Sequence, residues 1–345
     1  MPSQREKDTL IRLARGIVLV QGNAFIKELL RKNGIKIGAT KTAFEASLLD
    51  AIEEGRIQRQ HIEEWLNEVE GWGNQHVYLY KAPQDVLQAP LWSTPGKVEA
   101  QVKAAGLGDL WQAHTSLEFP AARKLTAVSF DDSTLRLTWH QGLSTWVRAT
   151  EKDYEKEIEG DLYEFQAHRY LADRSVMRFE LRLTMGLAAV FMQEEWNKES
   201  HLHALTETKE AVSKIFRFES LIPYNVAKAI KNLDQAALEA EELSKTIRPH
   251  STRLSGAGAY VQFASISGKT GYQEFEPIRH VRRAVRPERF RGDQGVFIFT
   301  RKGPRGSARD LKIQLYGSQR RIRFWAQMNA GEVWDILKSF KKYGT

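Results

Sequence analysis

Residues 310–327 read DLKIQLYGSQRRIRFWAQ, and their alternation decides the fold class. Leu311, Ile313 and Leu315 alternate with Lys312, Gln314 and Tyr316. Beyond Gly317-Ser318, Ile322 and Phe324 alternate with Arg321, Arg323 and Trp325. A period of two is the pattern of a half-buried strand. Two such runs around Gly-Ser predict a β-hairpin with a two-residue turn. Its apolar set points to a core. Its other face carries Lys312, Gln314, Tyr316, Arg321, Arg323 and Trp325, cations and aromatics together, and Trp325 is expected to pack under a neighbouring element rather than stand exposed.

Outward from this hairpin, further strand patterns recur toward the N-terminus: GVFIFTR (295–301), AYVQFASI (259–266), VMRFELRL (176–183), LYEFQAHRYL (162–171), STWVRAT (144–150), TLRLTWH (134–140), KLTAVSF (124–130) and HVYLYKA (76–82). Asp131-Asp132-Ser133 is a hairpin signal. Helical periodicity covers about 204–217 and about 224–245. It returns in GEVWDILKSFKKY (331–343), where Asn329 and Glu332 have capping-box spacing. The first 70 residues read as four helices, near 5–20, 23–32, 40–54 and 58–69. Leu10, Ile17, Phe44, Leu48, Leu49, Ile52, Ile62, Trp65, Leu66 and Val69 face inward.

These patterns predict an α+β protein. A small helical domain spans 1–72, a strand and Pro-containing linker span 73–96, and a larger domain of antiparallel sheet and helices spans 97–345.

Charge is distributed unevenly. The chain has 345 residues and a formal net charge of +8. Residues 272–345 hold 17 Lys/Arg against 7 Asp/Glu, a net +10, and the first 271 hold 34 against 36. An imbalance confined to one segment predicts a local basic face. Three parts build it. In EPIRHVRRAVRP (276–287), Ile278, Val281 and Val285 share one helical face and Arg279, Arg282, Arg283 and Arg286 another, with Pro277 suited to the first turn. Crowded like charges repel unless anions lie across them. The alternative is pairing with acidic helices such as LEAEEL (238–243). Arg289 and Arg291 follow. The loop TRKGPRGSARD (300–310) adds Arg301, Lys302, Arg305 and Arg309, and the hairpin supplies the third part. The expected partner is a nucleic acid, DNA first, with protein partners in a complex also expected.

Several classes are set aside. There is no Cys, hence no disulfide, thiolate metal site or Cys nucleophile. SISGKT (265–270) lacks the first glycine of a phosphate-binding loop, since Phe263 stands there, and Gly256-x-Gly258 leads into a strand rather than a helix. His201 and His203 diverge if helical. No cofactor or metal is therefore expected. No run approaches the roughly 20 apolar residues of a membrane helix, so no membrane partner is expected and the chain is read as cytoplasmic, nucleoid-associated or nuclear. The reading is a non-catalytic DNA-binding protein. A scaffold meeting an acidic protein, or a nuclease with a dispersed site, are the alternatives.

Two resemblances bear on this. FIKELLRKNGIKIGATKTAFEASLLDAI (25–52), with its amphipathic helix, Gly34-Ile35 turn, Gly38 and Lys41 before a second helix, resembles the SAP motif, a DNA-binding helix-turn-helix module. The order of TLIRLARGIVL (9–19), ASLLDAIEEGRIQRQHIEEWL (46–66), AARKLTAVSF (121–130), FELRLTMGLAAVF (179–191) and RIRFWAQMNAGEVWDILKSF (321–340) resembles the centromere protein N family. That family combines an N-terminal death-fold helical domain with an α+β domain and engages centromeric nucleosomes. The resemblance implies that Arg12, Lys41 and Arg182 lie near DNA-contacting positions.

Overall fold

The computed structural model describes residues 3–114, 116–193, 201–239, 246–256, 258–267, 269–285, 290–300 and 309–344. Arg286, Arg289, Arg301, Lys302 and Arg305 lie outside the described residues. Its helices are α1 (Gln4–Val20), α2 (Asn23–Lys32), α3 (Lys41–Glu53), α4 (Arg59–Val69), α5 (Gln84–Leu87), α6 (Pro95–Ala104), α7 (His201–Ser213), α8 (Val226–Glu239), α9 (Glu276–Ala284) and α10 (Ala330–Phe340). Its strands are β1 (Gln75–Lys81), β2 (Lys124–Asp131), β3 (Thr134–Arg148), β4 (Tyr154–Ile158), β5 (Asp161–Phe165), β6 (His168–Arg182), β7 (Leu187–Gln193), β8 (Ile222–Pro223), β9 (Ile247–Gly256), β10 (Ala259–Ala264), β11 (Arg291–Phe299), β12 (Leu311–Tyr316) and β13 (Arg321–Phe324). The α+β class holds, with helices leading. None of the described helices is long and apolar enough to cross a membrane.

Two compact units divide the chain, and they interleave. One comprises Met1–Glu70, Thr115–Thr126 and Trp139–Val176; the other comprises Gly71–His114, Ala127–Thr138 and Met177–Thr345. The contiguous 97–345 domain of the sequence reading is therefore split. The long strands β2, β3 and β6 give residues to both units. Alternation marks a strand but does not say which core each half of it joins.

In the first unit the four helices form as their periodicity predicts. Leu10, Leu13, Ile17, Ile26, Leu30, Phe44, Leu48, Ile52, Ile62 and Leu66 share one core. Ser3 caps α1 by accepting from the Glu6 amide, and Thr40 caps α3 by accepting from the Ala43 amide, each worth about 1 kcal/mol. α2 ends where Gly34 takes a φ of +62° and the Ile35 amide returns to the Leu30 carbonyl. Only a residue without Cβ adopts that conformation freely. The unit also holds an antiparallel hairpin, β4 with β5, which turns at Glu159-Gly160.

The second unit is built on a large sheet with the order β10-β9-β11-β12-β13-β1-β7-β6-β3-β2, β8 pairing off β1. One core row runs through the partners Thr252, Gly295, Leu315, Ile322 and Val77. Helices α8 and α10 cover this side. Ile230, Leu233, Trp334, Leu337 and Phe340 pack with Phe297, Ile313, Leu315, Ile322 and Phe324, all buried. α8 lies close against the strands because Gly292 has no side chain. A Cβ there would stand 2.5 Å from both the Ala227 carbonyl oxygen and Ile230 Cβ.

Several sequence expectations are corrected. The 310–327 hairpin closes through four residues, 317–320, since Tyr316 pairs with Arg321; Arg320 takes a φ of +51°. The segment read as strand and linker contains β1, which lies inside the sheet between β13 and β7. LYEFQAHRYL is two strands, broken at Gln166-Ala167, whereas TLRLTWH and STWVRAT belong to the single strand β3. Four strands, β4, β7, β8 and β9, were not anticipated. β7 is buried along nearly its whole length, so LAAVFMQ shows no alternation. β9 contains Pro249, which sits beside the irregularity where Val296 pairs with Ser251 and Phe297 with Pro249. A bulge is one of the places a sheet tolerates proline.

Candidate nucleic-acid interface

Residues opposite one another in an antiparallel ladder share a face. The register therefore defines the side of the sheet that alternates with the α8/α10 core. One row runs Arg253, Gln294, Tyr316, Arg321; the next runs Ser251, Val296, Gln314, Arg323, His76. Lys312 continues it beside Ile298, and Arg291 beside Ser255. Lys312, Tyr316, Arg321, Arg323 and Arg291 are thus brought together on one face, as the hairpin reading expected for its own members.

Aromatic rings hold the cations of this face in place. The Arg323 guanidinium lies 3.8 Å from the Trp325 ring centre and Lys312 Nζ 5.9 Å from it; the Arg321 guanidinium lies 4.5 Å from the Tyr316 ring. Such pairs contribute about 0.5–1 kcal/mol when exposed. Trp325 is 43% exposed, against the expectation that it packs under a neighbouring element. Arg253 and Tyr260, 5.6 Å apart, extend the pattern toward β10, although Arg253 is also paired with Asp293. No sequence pattern points to this pair, because the sequence of β9 shows no strand alternation.

The arginine helix departs from its expectation. α9 forms with Pro277 in its first turn, but two of its residues depart from the expected faces. Arg282 is the buried residue, paired with Asp234 of α8, while Val281 is 57% exposed. Tyr272 also donates to Asp234 and lies 3.0 Å from Thr252 Oγ1, which belongs to the core row. A buried carboxylate needs a cation, and this need outweighs burying Val281. Arg282 is thus withdrawn from any phosphate, and α9 lies on the α8 side of the sheet, opposite Arg321 and Arg323. Arg279 is half-buried and Arg283 exposed. Arg309 is exposed and donates to the Gln327 carbonyl.

The residues drawn from resemblance differ in setting. Arg12 is exposed on α1. Lys41 donates to the Leu19 carbonyl at 2.6 Å, satisfying the last turn of α1, and burial lowers its pKa. Arg182 is engaged internally. It bonds to the buried Glu180 carboxylate at 3.2 Å and lies 4.3 Å from the Trp334 ring, whose Nε1 donates to the same carboxylate at 3.0 Å. Burial would raise the Glu180 carboxyl; Arg136, Arg178 and Arg182 bring it below the usual range instead. His201 and His203 do diverge. His201 Nδ1 meets the Tyr78 hydroxyl at 3.1 Å and His203 meets Glu207 at 3.4 Å.

Two polar clusters were missed because their members are far apart in sequence. In the second unit His76 lies 4.8 Å from the His201 ring. Burial, then the charges of Arg321, His201 and Arg323, lower its pKa to about 3. In the first unit Glu70 accepts two bonds from Arg174, at 2.5 and 2.6 Å. His140 lies 3.5 Å from Glu70, and its Nδ1 is 2.6 Å from Thr126 Oγ1. The Thr-His-Glu order has the connectivity of a nucleophile, base and orienting acid. Thr126 and His140 are both buried, however, so the cluster is placed as an internal clamp. No family model matches the chain, and no curated protein matches it.

Proposed function

We propose that this chain is a non-catalytic nucleic-acid-binding protein, with DNA its first candidate ligand, that presents the Lys312/Tyr316/Arg321/Arg323/Trp325 sheet face to the strand. One observation carries the reading: cations and aromatic rings occupy one side of a sheet whose other side is sealed by α8 and α10. Guanidinium and ammonium groups neutralise phosphates, and rings accept bases by stacking, which favours strands with accessible bases. Arg321 and Arg323, already resting on rings, lose little further freedom on binding. Arg291 extends the face, while Arg282 and Arg182 are left out of it.

The reading is tested by titrating the full chain with duplex and single-stranded DNA of unrelated sequences over a range of salt. Salt-dependent binding weakened by Arg323→Gln and Lys312→Gln supports it. Binding that ignores both substitutions in a folded protein overturns it.

A protein partner is the second reading, favoured by a separate observation. The β4–β5 hairpin exposes Tyr154, Ile158 and Tyr163, which its register sets on one face. Clustered exposed apolar side chains mark interaction surfaces.

A further inference from the structure

A cavity of about 680 Å³ opens between β1, α7 and the 317–320 turn, within the size range of small-molecule sites. Two chemistries meet in it. At one end Tyr80 stands edge-on to Phe218, with ring centres 5.2 Å apart, and Tyr80 pairs with Pro223. These groups, with Leu205 of α7, make an apolar wall. At the other end the pairing of Val77 with Ile322 sets Tyr78 beside Arg321, and the Tyr78 hydroxyl meets His201. Arg320 and Arg321 line this end from the turn. Arg321 Nε is buried without a hydrogen-bond partner.

The potential at that end is positive. Behind it, His76 is kept neutral down to about pH 3 by its burial and by the charges of Arg321, His201 and Arg323. Burial, the largest cause, disfavours charge of either sign, so the preference for an anion rests on Arg320 and Arg321, which line this end. At the apolar end Glu219 and Lys209 both line the cavity beside Phe218, with Lys209 Nζ 6.0 Å from its ring centre, so their opposite charges offset there, whereas Arg320 and Arg321 stand together at the other end. The aromatic part of a ligand is therefore set toward Tyr80 and Phe218 and its charged part toward Arg320 and Arg321.

From this arrangement we infer that the cavity binds a single nucleotide, an aromatic heterocycle carrying a phosphate. Inorganic phosphate would leave the aromatic wall empty. A nucleoside would leave the cations unmet. The nucleotide has two possible sources, a free mononucleotide or an unstacked terminal nucleotide of a strand. This inference goes beyond the sheet-face reading; the two share Arg321, but Lys312, Arg323 and Trp325 do not line the cavity, so variants there and at Leu205 and Arg320 test the two readings separately.

The test uses the full chain and calorimetric titration with adenosine and thymidine 5′-monophosphates, their nucleosides, and inorganic phosphate. The monophosphates are expected to bind at least about tenfold more tightly than either control, a difference of one decade in Kd. Leu205→Trp fills the cavity, and Arg320→Asn removes a cation while keeping a residue that tolerates positive φ. Each is expected to weaken monophosphate binding about tenfold or more, with the thermal melt of Arg320→Asn unchanged. A second arm uses an oligonucleotide ending in 2-aminopurine. A fluorescence change abolished by Leu205→Trp identifies the strand end as the source; a silent probe with intact monophosphate binding identifies the free nucleotide. The inference is overturned if phosphate or nucleosides bind as well as the monophosphates, if no monophosphate binds, or if folded Arg320→Asn binds them unchanged. Nucleotide binding without salt-dependent strand binding would sink the sheet-face reading alone. The converse would sink the cavity alone.

Discussion

Arg282 and Asp234 form an ion pair in which the side chains are 1% and 0% exposed. Removing one partner strands the other charge in the interior, which typically costs about 3–5 kcal/mol. Arg282→Met or Asp234→Asn should each destabilise the protein by that order in denaturant melts. Arg282→Met combined with Asp234→Leu should recover most of the loss, since a packed apolar pair replaces two desolvated charges. Additive losses in the double variant would show that the two residues do not act as a unit.

That pair also marks where sequence reading stops. Within 276–287 the helix, its Pro277 start and its amphipathic spacing were all legible. Which face turns inward was not, because the deciding residue, Asp234, lies in another helix. The hairpin at 310–327 was legible in both its core and its outer face, since strand alternation alone assigns them. Its turn length was not, because Gly317-Ser318 suits a tight turn while the register places Tyr316 opposite Arg321. β7 and β9 escaped for opposite reasons: one has no polar positions to reveal a period, and the other has few apolar ones. The cavity joins 78–80, 201–223 and 318–321, a convergence that only tertiary structure creates.

Glu70 should govern part of the acid sensitivity of the first unit. Burial alone would raise its carboxyl, but the Arg174 charge, with hydrogen bonds from His140 and Arg174, brings it from 4.5 to about 2. A carboxyl depressed in the folded state contributes stability that is complete above its unfolded value and lost as pH falls through its folded value. The window runs from about pH 4.5 to about pH 2, and the shift corresponds to about 3 kcal/mol. Glu70→Gln should remove this component from the stability–pH curve while destabilising the protein at neutral pH, where Arg174 loses its counter-charge. Parallel acid limbs for variant and native protein would refute the assignment.

His76 should not titrate in the ordinary histidine range. Its folded pKa of about 3 lies below the usual 6.5, so the unfolded chain binds more protons between those values. Its contribution to stability is complete above about pH 6.5 and declines as pH falls toward about 3. In proton NMR its imidazole resonances should stay constant from about pH 8 to about pH 5. A midpoint near 6.5 would show that the Arg321/Arg323 environment does not exclude the proton.

The sheet face makes the last and most discriminating prediction. Each phosphate contact releases condensed counterions, so the slope of log K against log salt should shrink by about 0.9 per lost contact on duplex DNA and about 0.7 on single strands. Arg323→Gln and Lys312→Gln should each flatten the slope by about that amount across unrelated sequences. Trp325→Ala should behave differently. It removes a ring without removing a charge, so the slope should hold while single-strand affinity falls by about 1–3 kcal/mol if a base stacks there. Part of that loss could instead come from freeing Arg323 and Lys312, which rest on the Trp325 ring. Trp325→Leu in the background of both Arg323→Gln and Lys312→Gln separates the two, because only stacking survives as a cause when both cations are gone. Arg283→Gln, on the α8 side of the sheet, serves as the control and should leave the slope unchanged. A slope that responds to Arg283 but not to Arg323 would move the binding surface to the other side of the sheet.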